Sequence, residues 1–136
     1  MALTPDLVFV YGTLKRGERN HDRLRTAEFV GPAFTEPRFR LIDCGPYPAM
    51  IEHFDEPLVI SGEVYRIDDG VLLELDKLED EGRLYRRKVV EVSLIDGGAC
   101  DQSLRTARCW TYLWLNESHN LPLIDGASWS EAKSRR

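Results

Sequence analysis

A chain of 136 residues is expected to form one domain with one core, large enough to bury about two-thirds of its unfolded surface without metal or disulfide staples. Its 43% hydrophobic and 30% charged residues are ordinary for a globular protein and exclude wholesale disorder. A net charge of −5 excludes general binding to nucleic acid or an anionic membrane, which relies on clustered Lys and Arg, and leaves small or neutral molecules as expected partners.

Leu7-Val8-Phe9-Val10 reads as a stiff, half-buried strand that runs into a turn bracketed by Gly12 and Gly17. Free peptide N–H groups in such a bend can hold an anion or a developing oxyanion; the plainer reading is a strand that simply ends in a turn. Residues 18–28 are polar, with Leu24 as the main apolar point, and predict a short surface helix or an ordered loop. Residues 34–42 alternate as a strand, with Pro37 pointing to an edge or a bulge. Gly45-Pro46-Tyr47-Pro48 then stops regular structure in a stiff loop, either a packing corner or part of a site.

Residues 58–67 predict another strand, in which Gly62 marks a bulge or a close approach of backbone. Asp68-Asp69-Gly70 suits a helix N-cap, and Val71, Leu72, Leu75 and Leu78 share one face of a helix of about ten residues that ends before Gly82 as a C-terminal cap. Residues 87–95 form a strand with Val90, Val92 and Leu94 on one side, and Asp96-Gly97-Gly98 signals a turn. Residues 105–115 are the most aromatic strand, with Trp110, Tyr112 and Trp114 on one face and Cys109 and Leu113 on the other. The domain is expected to span 1–125, with 126–136 a polar, flexible tail. About five strands, one helix and hairpin-like connections predict an α+β fold with a mostly antiparallel, barrel-like sheet.

Several sites fail on their chemistry. Gly12 and Gly17 have the spacing of a phosphate-binding loop, but Glu18 and Arg19 stand where Lys and Ser/Thr belong, so the phosphate cation and the magnesium ligand are missing. No GxGxxG, HExxH or GxSxG pattern occurs, and His21, His53 and His119 lack metal-ligand spacing, so no metal is expected. Cys44, Cys100 and Cys109 are odd in number and far apart, which fits a reducing cytoplasm, and Cys44 reads as an inert thiol. No basic leader followed by a long apolar run appears, and no stretch approaches the roughly 20 apolar residues of a membrane span, so the protein is expected to be cytoplasmic and off the membrane.

The stretch Leu75-Asp76-Lys77-Leu78-Glu79-Asp80-Glu81-Gly82 places four acids at and beyond the end of the predicted helix. A solvated surface is the plain reading. Yet carboxylates are disfavoured at the negative end of a helix dipole, and crowding raises their proton affinity. Glu79 follows the apolar Leu78 at the margin of the buried face, where a partly desolvated carboxylate suits a general base near neutral pH.

Val10-Tyr11-Gly12-Thr13-Leu14-Lys15-Arg16-Gly17 taken with Leu75-Asp76-Lys77-Leu78-Glu79 and Tyr85-Arg86-Arg87 resembles the γ-glutamylcyclotransferase-like superfamily, most closely its γ-glutamylamine cyclotransferase and AIG2-like branch. The resemblance continues through Asn20-His21, Pro46-Tyr47-Pro48 and Gly62-Glu63-Val64-Tyr65, and covers residues 7–95 in order. It implies a small mixed β-barrel whose main helix carries the catalytic Glu. It further implies a reaction that splits a γ-glutamyl amide into 5-oxoproline and a free amine, with no cofactor. Carried over, Tyr11, Gly12, Thr13 and Leu14 form the substrate-binding loop, Glu79 is the acid/base and Tyr85 lines the pocket. A γ-glutamylamine such as γ-glutamyl-ε-lysine is the expected substrate, and a monomer or weak homodimer the expected state. The alternatives are γ-glutamyl peptides or carrier-linked γ-glutamyl groups, a non-catalytic binding module on the same fold, or an anion-binding protein using the bend.

Overall fold

The chain builds seven strands and one α-helix: β1 (Leu7–Val10), β2 (Glu28–Thr35), β3 (Phe39–Asp43), β4 (Pro48–Glu52), β5 (Ser61–Arg66), α1 (Asp69–Leu78), β6 (Tyr85–Ile95) and β7 (Leu104–Trp114). The computed structural model describes residues 5–45, 47–95, 104–115, 121–126 and 128–129. Pro46, the predicted turn at 96–98, Cys100 and His119 lie outside them. Five strands in the order β1-β5-β2-β6-β7 close into a barrel, because β7 returns beside β1 in parallel at Val8↔Trp110 while the other four contacts are antiparallel. Outside the ring, β4 lies parallel to β7 at Met50↔Leu113 and β3 pairs antiparallel with β4. The expected α+β barrel, mixed, mostly antiparallel and carrying one main helix, is the fold observed.

Closure explains why β1 is apolar on both faces. Phe9 and Tyr11 point into a core with Leu41, Met50, Ile60, Val64 and Val92, whereas Val8 and Val10 join Leu24, Ile42, Leu75, Tyr85 and Tyr112 on the side that α1 covers. Trp110, Tyr112 and Trp114 fall in this second cluster and Cys109 and Leu113 in the first, the division of β7 that its alternation predicts. At Gly62 the expected close approach is present: a Cβ there would overlap the Val10 carbonyl oxygen and stand 2.6 Å from Phe9 Cζ.

Three local expectations are corrected. The single strand at 34–42 is two: β2 ends at Thr35, a turn holds Pro37, and β3 starts at Phe39. The break is enforced from outside, since Thr35 exchanges bonds with Ile60, its Oγ1 accepting from the Ile60 N–H at 3.0 Å and its N–H donating to the Ile60 carbonyl at 2.9 Å. The stretch 18–28 matches its expectation of a short helix or ordered loop: His21–Leu24 forms one 3-10 turn, and β2 begins at Glu28. Pro48, expected to end regular structure, instead opens β4, which pairs back on the adjacent β3 from Asp43↔Pro48 onward and lies beside the distant β7 at Met50↔Leu113. Of the segment 126–136 expected to be a flexible tail, residues 126, 128 and 129 are described, and Trp129 departs from that expectation. It is 2% exposed within the barrel core, and its carbonyl accepts a 2.5 Å hydrogen bond from Lys15 Nζ.

Helix α1 begins as its sequence predicts, with Asp68 Oδ1 accepting from the Val71 N–H at 2.8 Å. Its end differs. The left-handed residue that closes the helix is Asp80, with φ 53°, while Gly82, also at positive φ (91°), lies beyond the cap; the Glu81 N–H reaches back to the Asp76 carbonyl and the Asp80 N–H to the Lys77 carbonyl, the paired closure of a Schellman motif. That closure makes Glu79 the C-cap. Among the described residues no helix is long and apolar enough to cross a membrane.

Candidate active site

Beyond β1 the backbone bends into a braced loop. The Lys15 N–H donates to the Gly12 carbonyl at 3.1 Å and the Asn20 N–H to the Thr13 carbonyl at 2.9 Å. Asn20 Nδ2 donates to Thr13 Oγ1 at 3.0 Å, His21 Nδ1 to the Leu14 carbonyl at 3.0 Å, and the Arg16 N–H to Glu63 Oε1 at 2.9 Å. The N–H groups of Gly12, Thr13 and Leu14 donate to no partner among the described residues, although all three residues are buried. Gly12 has no room for a side chain, since a Cβ would lie 2.8 Å from Pro48 Cγ, and this lets the bend pass close against the start of β4.

Those three residues line a cleft of about 210 Å³ whose wall also includes Tyr11, Tyr47, Leu78, Glu79, Tyr85 and Tyr112. The strand-end loop and the helix C-cap are therefore opposed across one cavity, which brings together all six residues singled out by sequence: Tyr11, Gly12, Thr13, Leu14, Glu79 and Tyr85. Within the lining, Arg19 and Glu79 are the formally charged side chains.

The four acids at the end of α1 sort cleanly. Asp76 Oδ2 binds Arg87 Nη1 at 3.0 Å, Asp80 Oδ2 binds Arg83 Nε at 2.9 Å, and Glu81 Oε2 accepts from the Arg87 N–H at 3.2 Å. Glu79 alone of the four has a carboxyl with no hydrogen bond or ion pair among the described residues. Burial without compensation penalises its charged form and pushes it from 4.5 up to about 7. A carboxyl poised near neutrality can take a proton and return it.

The Tyr11 and Tyr85 hydroxyls are bonded to backbone. Tyr11 is 7% exposed and its hydroxyl donates to the Tyr112 carbonyl at 2.6 Å and accepts from the Met50 N–H at 3.2 Å, filling the seam between β7 and β4. The Tyr85 hydroxyl donates to the Pro48 carbonyl at 3.0 Å, and its ring meets Trp114 edge-on at 5.2 Å. Burial raises the proton affinity of both phenols, with Glu79 nearby adding to it. Both rings shape the cavity while their hydroxyls are committed to backbone.

Sequence reasoning did not single out Tyr112, Asp76 or Arg19. Tyr112 lines the cleft and donates to Asp76 Oδ1 at 2.7 Å. Its alternation put it on the helix-covered face, but nothing local distinguishes it from Trp110 and Trp114 beside it. Tyr47, left open between corner and site, does line the cavity. The histidines do other work: His21 braces the loop and His53 accepts from the Glu56 N–H at 3.2 Å. Cys44 and Cys109 are free thiols, pushed up to about 11 and about 12, mainly by burial.

Over residues 8–131 the sequence matches the protein family described as gamma-glutamyl cyclotransferase, AIG2-like. It is 39% identical over 120 residues to the gamma-glutamylaminecyclotransferase of Homo sapiens, covering 78% of this chain and 76% of that protein. It is 30% identical over 122 residues to the gamma-glutamylcyclotransferase family protein YtfP of Escherichia coli strain K12, covering 90% of this chain and 94% of that one. The crystal structure of an AIG2-like protein from Mus musculus shares the fold with a TM-score of 0.76 at 27% identity, covering 91% of this chain and 87% of that one.

Proposed function

This chain belongs to the gamma-glutamyl cyclotransferase, AIG2-like family, and from that premise we propose that it releases 5-oxoproline and a free amine from a γ-glutamylamine, with Glu79 as general acid/base. The observation that carries the reading is that one cleft is lined by Glu79, whose carboxyl has no partner among the described residues, and by Gly12, Thr13 and Leu14, whose N–H groups have none there either. In the reaction the substrate α-amine attacks its own γ-carbonyl carbon. A C–N bond forms to close the five-membered ring, and the amide C–N bond to the leaving amine breaks. Glu79 takes the proton that the attacking nitrogen sheds and delivers it to the leaving nitrogen, so the carboxylate is regenerated. Holding the γ-glutamyl chain bent is worth several kcal/mol, because both reacting groups belong to one molecule. The N–H groups of Gly12, Thr13 and Leu14 suit the head group or the oxyanion of the tetrahedral intermediate, where one preorganised donor contributes about 3 kcal/mol.

The human relative named as acting on a γ-glutamylamine supports that choice of leaving group, and Arg19 in the cleft lining favours amines that also bear a carboxylate, as γ-glutamyl-ε-lysine and γ-glutamyl amino acids do. Incubating the protein with γ-glutamyl-ε-lysine, γ-glutamyl amino acids and simple γ-glutamylamines, and measuring 5-oxoproline, tests both. Release from γ-glutamyl-ε-lysine in preference to the amino-acid conjugates is expected. Release from the conjugates alone replaces the leaving group, and release from none of the panel overturns the activity.

A pH profile follows from the same carboxyl. The reaction needs Glu79 ionised to accept a proton, and its pKa in the folded protein is about 7. The log of kcat/KM is therefore expected to fall with unit slope as pH drops below about 7. A profile flat from pH 5.5 to 8, roughly the span over which such a carboxyl titrates, removes Glu79 from the proton transfer.

A further inference from the structure

Glu79 makes no side-chain hydrogen bond or ion pair among the described residues, so its direction is inherited from the turn of α1 that carries it. That turn is fastened at one point with unusual care. Asp76 lies three residues before Glu79, on the same side of the helix, and its two carboxylate oxygens are divided between two partners on the barrel. Oδ1 accepts from the Tyr112 hydroxyl at 2.7 Å and Oδ2 from Arg87 Nη1 at 3.0 Å. Arg87 and Tyr112 are direct cross-strand partners in the β6–β7 register, so one carboxylate spans one pair of neighbouring side chains. Arg87 is fixed in turn: its guanidinium lies 4.3 Å over the Trp110 ring, and its N–H donates to Glu81 Oε2 beyond the helix. With side chains 26% and 20% exposed, the Arg87–Asp76 pair is partly withdrawn from water and hydrogen-bonded at both ends, unlike the surface pair Lys77–Glu74 at 76% and 58%.

We infer that Asp76 is a positioning residue of the proposed active site: by gripping the Tyr112 hydroxyl and the Arg87 guanidinium, it fixes the last turn of α1 and so the direction from which Glu79 enters the cleft. The inference rests on the reading of Glu79 as acid/base. Tyr112 is the shared element, because it both holds Asp76 and lines the cavity beside Glu79. Arg87 has a second duty, which is to cancel the Asp76 charge one helical turn from Glu79. The other ionisable groups about Glu79 are Tyr11 just after β1, Cys44 and Tyr47 before β4, Tyr85 on β6 and Arg19 on the loop; of these Tyr11 meets the clasp, its hydroxyl donating to the Tyr112 carbonyl at 2.6 Å.

The test follows Glu79 by 13C-carboxyl NMR titration and 5-oxoproline release by steady-state kinetics, in the wild type and in Asp76→Asn, Arg87→Met and Tyr112→Phe. Asp76→Asn leaves the Arg87 cation uncompensated, and the Glu79 midpoint is expected to fall by about half a pH unit or more. Arg87→Met leaves the Asp76 anion uncompensated, and the midpoint is expected to rise by about as much. Tyr112→Phe keeps the ion pair and the midpoint, but is expected to lose about tenfold in kcat with KM within about threefold. Midpoints unmoved in both charge variants, or full kcat in Tyr112→Phe, overturn the positioning role. The titration is readable in a protein that turns nothing over, so absence of 5-oxoproline from the wild type counts against the proposed activity and unshifted midpoints against the clasp. Asp76→Asn is near-isosteric and Tyr112→Phe removes one hydroxyl, so the decision does not depend on Arg87→Met folding.

Discussion

Glu79→Gln is expected to lower kcat/KM for 5-oxoproline release by about 10²–10⁴, the usual worth of a positioned acid/base, while leaving the fold intact. Gln keeps the shape of the side chain in the cleft and removes only the proton exchange. The same substitution has a stability signature with a definite sign. In the folded protein the Glu79 pKa is about 7, above the 4.5 of a free side chain, so the folded state holds the proton more tightly than the unfolded one. Its contribution to stability is whole below pH 4.5 and is lost as pH rises through 7. Gln does not titrate. The variant is therefore expected to gain on the wild type between those pH values and to be more stable at pH 8, by at most about 3 kcal/mol. Denaturant titrations at pH 5 and pH 8 read the difference. A variant that is inactive and also more stable at high pH marks a carboxylate kept for chemistry at a cost to the fold. Normal activity in Glu79→Gln sinks the catalytic assignment, and a loss of stability at pH 8 sinks the account of its raised pKa.

Gly62→Ala is expected to be the most destabilising single-methyl change in the barrel, by about 3 kcal/mol, with a fall of roughly 10 °C in the thermal midpoint. Gly62 sits on β5 where β1 crosses it, and an added Cβ overlaps the Val10 carbonyl oxygen and presses on Phe9 at 2.6 Å and 2.8 Å. Neither neighbour can retreat: the first is backbone, and Phe9 is 1% exposed in the core. The strands must separate, which loosens the Phe9↔Val64 and Val10↔Glu63 pairs and moves the residues that lead straight into Tyr11 and Gly12. Activity at low temperature is expected to fall along with stability. Ser61→Ala, one residue earlier and exposed, is the control and is expected to stay within about 0.5 kcal/mol of the wild type. A Gly62→Ala melting curve that overlays the control would show that β1 and β5 have slack the structure does not display.

Much of the site was legible because its signals are local. The apolar run before Gly12, the Asp68 cap and the face of Val71, Leu72, Leu75 and Leu78 each arise within a few residues, where backbone preference and side-chain period act directly. The opposition of Glu79 to the Tyr11–Leu14 loop was expected only through the resemblance, and the geometry of the cleft supports it. What misread did so where a distant partner overrules a local signal. Pro48 looks like a terminator but starts a strand, because β7, far along the chain, lies beside β4 at Met50↔Leu113 and completes the hairpin that β4 makes with β3. Residues 34–42 alternate as one strand with Pro37 marking an edge or a bulge, yet Thr35 is drawn to Ile60 and the strand divides there. Trp129 stands in a polar segment and is nevertheless drawn into the barrel core.

By itself the sequence determined the elements that carry the site: the strand that delivers the loop, the capped helix and the four acids at its end. Only the tertiary structure decided which of the four acids are paired. Arg87 takes Asp76 and Glu81, Arg83 takes Asp80, and Glu79 lines the cleft with no partner for its carboxyl among the described residues. It likewise decided that the Tyr11 hydroxyl closes a seam between strands, by a bond that spans 101 residues of chain. Charge and donor count are properties of residues, but proton affinity depends on what surrounds a carboxyl, and the surroundings of Glu79 come from five separate stretches of the chain brought together by barrel closure.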